Sequence, residues 1–400
     1  MNASLANANP RVSQSQLQKG LSLVELMIAS LISMIIILAL TELYAGMSRT
    51  NRELVKTSSQ IENARFAMQF VGEDVIHAGY LGGYIPDFDD FSESNAPVGV
   101  PSAVPDPCLA YTTPWSADYR NGLLAIPIQV HSGTPGSCGA VVANKVANTD
   151  VLVVRHAETC AAGAVNCAAQ VAGRLYLQIS NCLLELEAGS PYVFSTGPYT
   201  LRERDCNAAG GGTIAPIYRF VQHVYYVRDY AMTPGDGIPS LVRSEFDLDG
   251  GGVLAQQSPQ VLVEGIERFR VELGLDIQRS VSTGVVQYGS DYTYNSGVNW
   301  EDPVERVTPT NRGDGVPDTY VHCGAGCTVG QLINTVSLRV HLLARANTES
   351  PGYSDSKDYN LGGLTIAAAA LDDAYKRHVF SSTYRLHNVS GRRETPLAAP

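Results

Sequence analysis

From Leu21 to Leu40 the chain reads LSLVELMIASLISMIIILAL, twenty residues in which Glu25 is the only ionisable group. A helix of that length spans about 30 Å, the thickness of a bilayer's hydrocarbon. A secretory signal has a shorter apolar stretch and a small-residue cleavage site, whereas this run starts abruptly after Lys19-Gly20 and continues into helix-compatible sequence. The segment therefore predicts a retained membrane helix over 21–40. The preceding residues carry Arg11 and Lys19 and no acid, which suits the cytoplasmic side, although Arg49, Arg52 and Lys56 beyond the span blunt the asymmetry. All eight cysteines (Cys108, Cys138, Cys160, Cys167, Cys182, Cys206, Cys323 and Cys327) lie beyond the span. An even count on that side places the residues after Tyr44 in an oxidising compartment, the periplasm or the exterior.

Past the membrane the helix is expected to continue. Met47, Leu54, Ile61, Met68 and Val75 recur every seven residues, with Thr50, Thr57, Ala64, Val71 and Ala78 three positions after each. Threonines in one seam, with Phe66 and Phe70 beside it, favour a helix laid on a sheet over a coiled coil. Gly79 is placed to end it as a C-cap.

Four hundred residues with 44% apolar content can bury a sizeable core. Residues 80–215 read as a loop-heavy β region rich in Gly, Pro, Ala and Cys, with strand-like pieces at Leu123–Val130, Asp150–Arg155 and Arg174–Ile179. From 216 to 394 the strands lengthen: Ile217–Arg228, Ser240–Phe246, Gln260–Leu273, Asn334–Ala344 and His378–Leu386 alternate apolar and polar residues, as a half-buried antiparallel sheet does. Lys and Arg number 28 against 39 Asp and Glu, and the net charge of −11 argues against binding along nucleic-acid phosphates.

The junction at residue 20 carries the most specific pattern. A basic leader ends Gln18-Lys19-Gly20, and Leu21-Ser22-Leu23-Val24-Glu25-Leu26 opens the apolar run. This resembles the type IV prepilin signal, in which a membrane peptidase cuts after the Gly and a Glu stands fifth in the mature chain; Leu21 stands where Phe or Met is usual. The stretches Val261-Leu262-Val263-Glu264-Gly265-Ile266-Glu267, Thr335-Val336-Ser337-Leu338-Arg339-Val340 and Val379-Phe380-Ser381-Ser382-Thr383-Tyr384-Arg385-Leu386 are similar to the C-terminal part of the PilW family of minor pilins.

The resemblance implies an α+β, pilin-like fold: a leader over 1–20, a spine helix over 21–79 whose first half spans the membrane, and an antiparallel sheet beneath it with a large disulfide-containing β insertion. It implies cleavage by the prepilin peptidase between Gly20 and Leu21, with Lys19 before the cut, and N-methylation of Leu21. An ionised carboxylate in the bilayer costs about 2.5–3.5 kcal/mol on insertion scales, so Glu25 needs a proton or a cation. The new amine of a neighbouring subunit's Leu21 supplies one, which makes Glu25 a docking group. The implied protein is a non-enzymatic subunit of the priming or tip complex, supporting pilus assembly, twitching motility and adhesion. Its implied partners are other minor pilins, the major pilin, the inner-membrane assembly platform and a large tip adhesin, with no cofactor. The head would face the periplasm from the inner membrane before assembly and the cell surface afterwards. One rival is a type II secretion pseudopilin of the J kind, whose heads are small; another is a membrane-tethered periplasmic enzyme or binding module.

Cys323-Gly-Ala-Gly-Cys327 can curl to bring its sulfurs within bonding geometry, or with His322 offer part of a zinc site. For the other six, pairing in chain order is the simplest connectivity, Cys108 with Cys138, Cys160 with Cys167 and Cys182 with Cys206. Asp247-Leu-Asp249-Gly250 and Asn311-Arg-Gly-Asp314-Gly315-Val-Pro-Asp318 cluster oxygens around glycines, but neither fits a calcium loop and acid-Gly turns account for both. Arg312-Gly313-Asp314 is a tripeptide that chance explains. There is no GxSxG, HExxH, phosphate loop or GxGxxG before a helix, and the eight histidines include no pair at metal-ligand spacing.

Overall fold

The computed structural model describes residues 20, 22–89, 99–112, 114–281, 284–287, 314–324, 326–371 and 373–393. The chain divides into two units, Met1–Val55 and Lys56–Pro400. Helix α1 (Leu23–His77) begins in the first and ends in the second. In the first unit it is exposed, with no buried residue from Ser22 to Val55, and its apolar run ends at Leu40.

In the second unit α1 buries Gln60, Ala64, Ala67, Val71, Gly72, Asp74 and Val75. These positions repeat at the three- and four-residue spacing of one helix face. The face is offset from the expected stripe. Ala64, Val71, Val75 and Ala78 are buried as expected, but Ile61 and Thr57 are exposed, Met68 is half-buried, and Gln60, Ala67 and Asp74 occupy the other half of the seam. Phe66 and Phe70, expected beside that seam, are exposed as well. The offset has a hydrogen-bonding cause, because each polar side chain in the seam has partners. Gln60 Nε2 donates to the carbonyls of Ala344 at 2.5 Å and Lys376 at 3.2 Å, and the Asp74 carboxylate accepts from three side chains described below. The helix ends at His77. Gly79 follows at φ 74°, a left-handed conformation that a side chain would strain, and its N–H donates to Arg155 O at 3.0 Å.

The first sheet is antiparallel and contains β1 (Ile128–His131), β2 (Val151–Ala161), β3 (Tyr176–Ile179), β4 (Tyr192–Ser195), β5 (Ile217–Arg228), β6 (Ser240–Leu248), β7 (Leu254–Gln256) and β8 (Gln260–Glu264). Its order is β1-β2-β5-β3-β4, and β6 also joins β5, taking β7 and β8 with it. Strands on both sides of residue 216 thus share one sheet, since β2 pairs with β5 from Leu152↔Tyr225 to Ala161↔Tyr218. Leu123–Val130, expected as a strand, is in part helical. Ser116 Oγ accepts the Tyr119 N–H at 3.2 Å and starts α2 (Ala117–Ala125), leaving only the end of the segment for β1.

The second sheet has β9 (Ile266–Leu275) at its centre, and two hairpins are separate from it: β10 (Gln278–Val281) with β11 (Gly284–Gln287), and β14 (Tyr359–Leu361) with β15 (Leu364–Ile366). With β12 (Thr319–Val321), β13 (Thr335–Arg345) and β16 (Arg377–Arg385), the order is β12-β9-β13-β16, again antiparallel. The expected strand Gln260–Leu273 is two strands in different sheets. Gly265 sits between them at φ 77°, where a Cβ would lie 2.7 Å from Arg345 O. A short α3 (Leu183–Glu187), α4 (Val329–Ile333) and α5 (His387–Arg393) complete the regular elements named here.

One core gathers Ala64, Val71 and Val75 of α1 with Val154, Tyr225 and Leu241 of the first sheet and Phe269, Val271, Leu338 and Val340 of the second. The opposite face of the first sheet carries two further clusters, one around Trp115, Phe194, Phe220 and Phe246, the other around Cys138, Val153, Val224 and Tyr226. The fold is therefore α+β, with the second half of a long N-terminal helix packed on antiparallel sheet.

Candidate functional site

At the start of α1, the described residues are Gly20 and those from Ser22 onward; Lys19 and Leu21 lie outside the described residues. Gly20 is exposed. Glu25 falls in the first turn, where an acid complements the helix dipole, and its Oε2 accepts the Ser22 N–H at 3.0 Å. The same part of the helix presents Leu23, Met27, Ile28, Leu31, Ile35 and Leu38 to the outside. Two hydroxyls in the same stretch turn back on their own helix: Ser30 Oγ donates to Met27 O at 2.9 Å and Thr41 Oγ1 to Ile37 O at 2.7 Å. Such self-satisfied polar groups let a helix sit in hydrocarbon without unpaired donors. α1 is long and apolar enough to cross a membrane.

A second constellation lies where α1 meets the first sheet. The β2–β5 register pairs Val154 with His223 and His156 with Val221, so His156 and His223 are diagonal neighbours on the face turned toward the helix. Asp74 enters between them from α1. Its Oδ1 is 2.9 Å from His156 Nε2 and its Oδ2 is 2.9 Å from His223 Nδ1, and the Tyr225 hydroxyl donates to Oδ2 at 2.9 Å. The other nitrogen of His156, Nδ1, faces the carbonyl of Ala157 at 2.9 Å. Burial would raise the pKa of Asp74, but the hydrogen bonds and charge of the two histidines hold its carboxyl well below the usual carboxylate range. Burial would depress His156, and the bond and charge of Asp74 outweigh it, so its pKa is raised. The His77 ring stands 5.8 Å from that of His156, with its Nδ1 2.7 Å from Glu73 O. Sequence spacing gave no sign of this group, because its members come from three elements; the one local trace is His223 and Tyr225, two apart and thus on one face of β5.

The structure brings the cysteines together as Cys108–Cys138, Cys160–Cys167, Cys182–Cys206 and Cys323–Cys327. His322, weighed as a zinc ligand beside the last pair, instead places Nε2 3.0 Å from Asp150 Oδ1. Among the described residues, the acids of the acid-glycine stretches bond protein groups. Asp247 takes a two-pronged bond from Arg174 at 2.7 Å on each oxygen, while Asp249 Oδ1 accepts the N–H groups of Gly251 and Val253 in the turn before β7. Asp314 Oδ1 accepts the Val316 N–H and Asp318 Oδ2 the Ile277 N–H; residues 311–313 lie outside the described residues.

Residues 224–388 match the model of the family described as type IV pilus-assembly protein W. No curated protein matches the chain. Among solved structures, a type IV-like pilin from Thermus thermophilus is 10% identical, with 66% of this chain and 82% of that one covered, at a TM-score of 0.26.

Proposed function

We propose that this chain, which is PilW-type over residues 224–388, is a minor pilin of the type IV pilus, a structural and non-enzymatic subunit of the priming or tip complex. The observation that carries the reading is the family match joined to a helix start that has Gly20, one isolated carboxylate at Glu25 and an apolar surface with no cover of its own. In this reading the prepilin peptidase cuts between Gly20 and Leu21, the freed amine is methylated, and the protein waits in the inner membrane with its head outside the cytoplasm. Other pilins then cover the apolar half of α1. Glu25 pairs with the Leu21 amine of a neighbour, so a group that is costly in the lone subunit favours assembly. Twitching motility and adhesion follow from a place at the tip, with the assembly platform, the major pilin and a large tip adhesin as partners.

The test compares two variants in cells that make pili. Gly20→Ala is expected to remain unprocessed, which intact mass detects as a chain that keeps its leader. Glu25→Ala is expected to be cut normally yet to fall at least roughly tenfold in sheared pili relative to membranes, the loss expected for about 1.4 kcal/mol of docking. Wild-type amounts of Glu25→Ala in sheared pili would overturn the docking role, and an intact mass showing uncut Gly20 in the wild type would overturn the prepilin reading.

A further inference from the structure

The His156 ring cannot be accounted for as an ordinary neutral histidine. Both of its nitrogens face oxygen acceptors, Nδ1 the Ala157 carbonyl and Nε2 the Asp74 carboxylate, each at 2.9 Å. A neutral imidazole has one N–H and one lone pair. If Nδ1 donates to the carbonyl, the Nε2 lone pair points at a carboxylate oxygen. Two acceptors at that distance need a positive charge between them, either a second ring proton or a metal ion.

Three features favour the ion. The backbone bond at Nδ1 is the support that metal-binding histidines generally have, since it fixes the ring and leaves the opposite nitrogen unprotonated. A second imidazole, His223, reaches the same carboxylate, so that one oxygen and two nitrogens on three elements come within 4.8 Å of one another. The Tyr225 hydroxyl on Asp74 Oδ2 supplies the matching outer support for the carboxylate. We propose that Asp74, His156 and His223 bind a divalent transition-metal ion of the zinc class, clamping α1 to β2 and β5. Two imidazoles and one carboxylate suit zinc, with ligand bonds of about 2.0–2.2 Å and a fourth, open position for water. Ligands on one tetrahedral ion stand roughly 3.3 Å apart on those bond lengths, and the three donor atoms, within 4.8 Å of one another, would draw together around it. His156 also lines a surface groove with His77, Glu158, Asn166 and the Cys160–Cys167 bridge.

The experiment uses the full chain in detergent, loaded with zinc chloride and dialysed. About one zinc per chain is expected by elemental analysis, together with a rise in melting temperature of at least roughly 2–4 °C that a chelator reverses. Cobalt in place of zinc should give visible absorption from a four-coordinate nitrogen–oxygen site. His77→Ala, an exposed neighbour, should keep the ion. Asp74→Asn and His223→Gln, checked for native circular dichroism, should lose it; should either fail to fold, the wild-type cobalt spectrum still decides. Failure of the wild type to retain zinc or to develop the cobalt spectrum would overturn the site and leave an imidazolium–carboxylate pair. Equal retention by folded Asp74→Asn and His223→Gln would overturn the assignment of ligands.

Discussion

A single methyl group tests how closely α1 lies on β16. Gly72 faces the Tyr384 ring, and a Cβ built on it would overlap the ring edge. That ring is tethered, because its hydroxyl donates to Met68 O at 2.7 Å. Gly72→Ala gains about 0.8–1 kcal/mol of helix propensity but overpacks the contact at about 1–3 kcal/mol, so a net loss of about 1 kcal/mol is expected by denaturant unfolding. In a Tyr384→Ala background the sign should reverse, since only the propensity gain is left. Asp276, the residue after β9, is a titrating counterpart. It is fully buried, accepts the N–H groups of Asp314 and Gly315 at 3.2 and 2.8 Å, and has Arg393 Nη1 3.6 Å away. Burial pushes its pKa up to about 6 against the pull of Arg393 and the two N–H groups. An unfolded Asp titrates near 3.9, so between pH of about 4 and 6 the folded chain holds the extra proton. Stability from this group is therefore full below about pH 4 and declines as pH rises to 6, by about 3 kcal/mol in all. Wild type should lose that much against Asp276→Asn between pH 4 and 7.5; a constant gap would mean that Arg393 keeps the carboxylate ionised throughout.

At the scale of elements, what was readable in the sequence was whatever repeats locally. The alternation of Ile217–Arg228 coincides with β5, and the segments near β6, β13 and β16 are within a few residues of their expected ends. Alternation continues through Gly265 without a break, so the sequence reads one strand where a left-handed glycine sends the chain from one sheet to the other. One seam of α1 stands one residue from its expected place for a different reason, while Ala64, Val71 and Ala78 keep the other. Periodicity scores Gln60 and Asp74 as polar and hence outward, yet their partners, the Ala344 carbonyl and the His156, His223 and Tyr225 side chains, come from strands far along the chain. Buried charge elsewhere follows the same rule. Arg377 of β16 is buried and bonds Glu267 at 2.6 Å, Asp355 at 3.1 Å and Asp373 at 2.6 Å, a network no single segment announces. The Gly20–Glu25 pattern is legible because its meaning lies in adjacent residues; the Asp74 cluster is not, because its meaning lies in the fold.

For the whole molecule, the question is which part of the chain the head needs in order to fold. The four bridges close short loops, with sequence separations of 30, 7, 24 and 4, so none ties distant regions together. Cohesion comes instead from the core shared by α1 and both sheets, and within α1 every buried side chain stands at Gln60 or later. The first part of α1, through Val55, buries nothing. A chain starting at Lys56 keeps every buried helix position, the cap at Gly79 and all eight cysteines, while shedding the exposed apolar surface that requires detergent. It is expected to be soluble without detergent, to contain no free thiol, and to melt within about 2 °C of the detergent-solubilised full chain, since surface changes away from packed features stay within about 0.5 kcal/mol. A start at Met68 should behave differently. It removes Gln60, Ala64 and Ala67 from the seam, exposing the β9 and β13 side chains they cover and leaving the Ala344 carbonyl without its amide donor. Several degrees of lost melting temperature, or aggregation, are expected for that shorter chain; equal melting of the two would show that the head is held together by its sheets alone.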